Sequence, residues 1–147
     1  MSICVLVCGS RFTQNIHNGI SRTYIKNILA LLKNVHNFTD IEIVEGGADG
    51  VDTIAKEVSI ELGYKVTEFK VTKADWSRYG KGAGPMRNKK MLDYLVSRRD
   101  DNPELVLALI AFHSDLSKSR GTLNMINQVR NFNGDGGISM TILKESP

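Results

Sequence analysis

A chain of 147 residues has room for one hydrophobic core and not for two, and a formal net charge of +3 is too mild to mark a nucleic-acid binder by composition. The longest apolar runs, "ICVLVC" and "LVLALIAF", fall far short of the roughly 18 residues that cross a bilayer, and no basic-then-apolar signal segment precedes "MSICVLVCGSR". A single soluble, cytoplasmic domain over residues 1 to 147 is expected, with no membrane contact.

Apolar runs of strand length alternate along the chain with segments of helical period. "ICVLVC" (3 to 8) predicts a first strand buried on both sides and ending at Gly9. Its two cysteines, Cys4 and Cys8, then stand about 13 Å apart, beyond the reach of a disulfide, and read as buried thiols. Ile20, Tyr24, Ile25, Ile28, Leu29, Leu32 and Val35 recur at three and four, predicting an amphipathic helix of about five turns. "IEIVEGG" (41 to 47) is a second strand running into glycines, and Ile54, Ala55, Val58 and Leu62 mark a helix that stops at Gly63. "YKVTEF" (64 to 69) gives a third strand, residues 85 to 98 a helix, and "LVLALIAF" (105 to 112) a fourth strand. A helix from Gly121 to Asn131 and a strand "ISMTILK" (138 to 144) complete the pattern. The fold class is α/β: one Rossmann-like domain whose mostly parallel sheet of about five strands carries helices on both faces.

In such sheets ligands bind outside the carboxyl ends of the strands. The unusual segments of this chain fall there: "CGSRF", "EGGADGVD", "TKADWSRYGKGAGPMRN" and "HSDLSKSRGT" follow strands one to four. In the third of these, Pro85 suits the first turn of a helix, with Gly84 as its cap. The free N–H groups and positive dipole end there favour an anion. Arg87 adds a guanidinium fork that fits phosphate or carboxylate, and Lys81 and Asn88 flank it. The bland reading, a solvated basic helix face, sets cations against the dipole. Gly46, Gly47 and Gly50 permit close backbone approach or positive φ beside Ala48. Asp49 or Asp52 either caps the next helix or binds a ligand hydroxyl. Ser119, Gly121 and Thr122 offer hydroxyls and N–H groups at another helix start, as a phosphate cradle or a plain cap, and Ser10 and Arg11 add a hydroxyl and a cation. Trp76, the sole tryptophan, either stacks on a base or covers the core edge, and Asp75 precedes it. His17, His36 and His113 lack ligand spacing, so no metal and no cofactor are expected. A Ser/His/Asp hydrolase would want a G-x-S-x-G elbow, which is absent from the sequence.

Taken together and in this order, "CGSR", "VEGGADGVD", "ADWSRYGKGAGPMRNKKM" and "RGT" resemble the YspA/cpYpsA-related branch of the SLOG superfamily, which also holds the DNA-processing DprA proteins and the Lonely Guy phosphoribohydrolases. The resemblance covers residues 4 to about 130, and "ADW" followed by "GKGAGPMRNKKM" is its most specific piece. It implies a nucleotide or nucleotide-derived ligand, frequent homodimers, and a place in phage or antiphage systems for several members. In the Lonely Guy enzymes an arginine at a helix start works with a P-G-G-x-G-T-x-x-E loop whose glutamate assists N-glycosidic cleavage. Arg87 is similar to that arginine and Gly121-Thr122 to the Gly-Thr, but Met125 stands where the glutamate would be. Methionine can neither stabilise a cation-like sugar nor position water. The expected function is therefore a nucleotide-binding module that senses or sequesters its ligand. A hydrolase using Arg87 and a relocated acid (Asp49, Asp52, Asp75 or Asp115) is the second reading. Single-stranded DNA binding is the third, disfavoured by the mild charge and the lone tryptophan.

Overall fold

The computed structural model describes residues 1–11, 20–113, 120–133 and 137–144. Five strands, β1 (Ser2–Gly9), β2 (Asp40–Glu45), β3 (Lys65–Glu68), β4 (Val106–Phe112) and β5 (Ile138–Leu143), alternate with helices α1 (Arg22–Asn34), α2 (Val51–Glu61), α3 (Lys73–Tyr79), α4 (Ala83–Asp101) and α5 (Arg120–Phe132). All strand pairs are parallel, and the order across the sheet is β3-β2-β1-β4-β5. The chain builds outward from β1 to β3, then returns through α4 to lay β4 on the other side of β1. The order thus reverses between β1 and β4.

Alternation along the central strand feeds two cores. Ile3, Val5 and Val7 pack with residues of α1 and α2 on one face, including Ile25, Leu29, Ala55 and Val58. Cys4, Leu6 and Cys8 pack on the other with Met91, Leu95, Met125 and Ile126 of α4 and α5. Both thiols are free and buried, and burial first of all pushes Cys4 up to about 12 and Cys8 higher still, so neither is a nucleophile at neutral pH.

Three boundaries differ from expectation. The first helix starts at Arg22 because the Ser21 hydroxyl accepts from the Tyr24 N–H at 3.0 Å. The segment after β3 contains α3, closed by a capping box: the Thr72 hydroxyl accepts from the Asp75 N–H at 3.1 Å and the Asp75 carboxylate accepts from the Thr72 N–H at 2.9 Å. A tight turn, Gly80–Gly82, then leads into α4, which is capped by Gly82 and not Gly84 and begins at Ala83. Pro85 occupies the third helical position, where its missing N–H still has no intrahelical partner to lose.

The far half of α4 is anchored by a buried carboxylate. Glu42 of β2 accepts from Thr67 Oγ1 at 2.7 Å and Arg98 Nε at 3.1 Å, and also from the Tyr94 hydroxyl. Burial alone would raise its pKa, but these donors and Lys65 outweigh burial and hold it low. The network ties α4 to β2 and β3.

Candidate functional site

At the reversal point the backbones of three elements meet. Ser10 is buried; its N–H donates to the Phe112 carbonyl at 2.9 Å, and its own carbonyl accepts from Val51 N–H at 3.2 Å. A Cβ on Gly9 would strike the Phe112 carbonyl oxygen and come within 2.7 Å of Val51 Cγ2, so this glycine serves close packing. Arg11 stands exposed at the rim.

The loop after β2 is the main surprise. Gly47 adopts φ +69° and Gly50 φ +98°, as glycine alone does cheaply. The N–H groups that the sequence offers to an anion already hold the protein's own carboxylates. Gly47 N–H donates to Glu45 Oε1 at 2.6 Å, and Ala48 N–H donates to Asp52 Oδ2 at 3.2 Å. Asp52 therefore folds the loop rather than capping α2, whose cap is Gly50 without a side-chain bond. Asp49 is exposed. Burial pushes Asp52 up to about 6, against the Ala48 N–H and the charge of Arg87, which pull it down.

Arg87 links this loop to α4. Its Nη1 donates to the Gly46 carbonyl at 2.6 Å and its Nε to Asn88 Oδ1 at 3.0 Å. A Cβ on Gly46 would lie 2.5 Å from Nη1 and 2.7 Å from Cζ, so the guanidinium occupies the space that glycine leaves. Asn88 is buried and donates through Nδ2 to the Gly121 carbonyl at 3.2 Å and to Asn124 Oδ1 at 3.0 Å. Gln128 closes the clasp, donating to Asn124 Oδ1 at 2.8 Å and to the Pro85 carbonyl at 3.1 Å. The first turns of α4 and α5 are thus locked side by side, which brings Gly121 and buried Thr122 next to Asn88.

Other marked residues are placed differently. Asp75 closes the capping box of α3 through one oxygen, Trp76 is 54% exposed on α3, and Lys81 lies exposed in the turn before α4. Gly84 sits inside the helix, where an added Cβ would meet nothing within 4 Å. Met125 is fully buried in the core under α5, and His113 is buried with its N–H donated to the Leu143 carbonyl at 2.9 Å. Ser119 and Asp115 lie outside the described residues.

Two residues that the sequence pattern does not mark carry the most unusual chemistry. Glu45 and Glu68 end β2 and β3, side by side in the parallel register. Glu45 is fully buried; its Oε1 accepts from Gly47 while Oε2 meets no donor. Burial, and then its neighbour Glu68, pushes Glu45 up to about 8. Burial also acts to raise Glu68, but its neighbours Glu45 and Lys56 outweigh it and hold Glu68 low. Their position as last residues of adjacent parallel strands is the signal that finds them, because those side chains border the ligand edge of such sheets. Beside them a cavity of about 340 Å³ opens between the end of β3, α3 and the start of α4, lined among others by Glu68, Lys70, Tyr79, Met86, Arg87 and Lys90.

Among the described residues no cluster of His, Cys, Asp and Glu has the arrangement to hold a metal ion, and no helix is long and apolar enough to cross a membrane. Comparison of the chain with protein-family models, with curated proteins and with solved structures finds no match, so the five-stranded parallel fold stands on the structure alone.

Proposed function

We propose that this chain binds a phosphate-bearing, nucleotide-derived small molecule at the carboxyl edge of its sheet and holds it intact. The observation that carries the reading is Arg87, a partly buried cation fixed at the meeting point of the β2 loop and the α4 start. A guanidinium has five N–H donors; two are used in the bonds to Gly46 and Asn88, which aim the group without neutralising it. The rest suit the planar, bidentate geometry of a phosphate. With the loop N–H groups of Gly47 and Ala48 occupied, the phosphate falls to Arg87 and the neighbouring lysines rather than to a backbone cradle. Burial of Met125 favours binding over hydrolysis, since the position where the related hydrolases carry their acid is closed into the core.

The protein is incubated with mixed nucleoside monophosphates, NAD, ADP-ribose and cyclic dinucleotides, and retained and free fractions are read by mass spectrometry. One intact species is expected on the protein. Arg87→Ala is expected to weaken its binding by about 2 kcal/mol, roughly thirtyfold. Unchanged affinity in a folded Arg87→Ala variant sinks the phosphate reading. Protein-dependent release of free base would replace it with hydrolysis.

A further inference from the structure

The cavity beside Arg87 has a lining that specifies more than a phosphate. At about 340 Å³ it falls in the range of small-ligand sites. Phe69, Tyr79 and Met86 supply aromatic and thioether walls suited to a flat ring, and Phe69 is braced by Tyr94 with ring centroids 5.4 Å apart. Two carboxylates line it: Asp75, one oxygen of which accepts from the Thr72 N–H in the helix cap, and Glu68, the last residue of β3 at the carboxyl edge of the sheet where ligands of such folds bind. Lys56 at 3.3 Å takes one of the roughly four acceptor positions of that carboxylate. An ionised carboxylate accepts and never donates, so the occupant must present N–H or O–H donors to it, and a flat ring between aromatic walls presents them as N–H groups on its edge. Lys70, Arg87 and Lys90 in the same lining provide cations for a phosphate attached to the ring.

We propose that this cavity is the base subsite of the ligand and that Glu68 selects a heterocycle with two adjacent N–H donors, the edge of guanine. The inference rests on the phosphate-ligand reading above. Guanine offers its ring N–H and exocyclic amine together to one carboxylate. Hypoxanthine offers only the ring N–H, and adenine turns a ring-nitrogen acceptor toward the carboxylate, which repels it.

The test is calorimetric titration of the full chain with guanosine, inosine and adenosine monophosphates, for the natural protein and for Glu68→Gln. The natural protein is expected to bind the guanosine compound about tenfold tighter than the inosine compound and about a hundredfold tighter than the adenosine compound. In Glu68→Gln one acceptor becomes a donor, and the guanosine affinity is expected to fall about tenfold as the preference narrows. Equal or tighter binding of the adenosine compound by the natural protein overturns the base assignment and leaves the phosphate reading standing. So does an undiminished guanosine preference in a folded Glu68→Gln. If none of the three binds, and the wider ligand mixture also leaves nothing on the protein, both readings fall together.

Discussion

Glu45→Gln is expected to make the protein more stable at pH 8 by about 4 kcal/mol and to leave its stability at pH 4.5 almost unchanged. The sign follows from where the proton sits. In the unfolded chain Glu45 titrates near its ordinary 4.5, while in the fold burial and its neighbour Glu68 raise it to about 8. Between those values the native state holds a proton that the unfolded state has released, so stability falls as pH rises through the window, and above it the full penalty remains. Asp52, raised by burial to about 6, acts in the same direction at lower pH. Glutamine stands in for the protonated acid: its oxygen accepts from Gly47 N–H, with no charge to bury. Urea midpoints at the two pH values, with unchanged m, measure the effect. A natural protein whose stability is flat from pH 4.5 to 8, or a glutamine variant destabilised at both, would show that Glu45 is ionised in the fold.

The contrast between Glu45 and Arg87 shows what the sequence makes legible. The layered fold was readable because strands buried on both faces are continuous apolar runs, and "ICVLVC" and "LVLALIAF" have no other comfortable use. Arg87 was readable because a cation among glycines at a helix start is locally costly and asks for an explanation. The helix α3 was not, since its seven residues bury none of their side chains and leave no apolar period. Its only signal is the Thr72–Asp75 cap, which gives Asp75 a structural role. The loop after β2 was half legible. Glycine permits an open row of N–H groups, but which acceptor fills them depends on Glu45 and Asp52 folding back, a matter of tertiary geometry that spacing does not encode.

Gly9→Ala is expected to cost about 3 kcal/mol, lowering the melting temperature by roughly 10 °C, while Gly84→Ala raises stability by about 0.5 kcal/mol. Both glycines lie toward the carboxyl edge of the sheet and look alike in sequence. At Gly9 the new methyl meets backbone: the Phe112 carbonyl oxygen, which accepts from Ser10 N–H at 2.9 Å, and the Val51 side chain, whose Cβ lies 2.8 Å away. Neither can rotate aside, because β1 and β4 are paired in register up to Gly9 and Phe112, and Val51 opens α2. Relief requires parting the two central strands at the point where the sheet reverses. At Gly84 a methyl meets nothing within 4 Å and removes a flexible residue from the first turn of a helix. The pair separates packing from ligand contact. If Gly84→Ala stabilises the fold yet weakens ligand binding, the ligand passes close over the first turn of α4. If it stabilises the fold and leaves binding alone, the ligand stays with Arg87 and the cavity. Equal melting shifts for the two substitutions would mean that the β1–β4 junction yields, and that Gly9 is not what holds the strands so close.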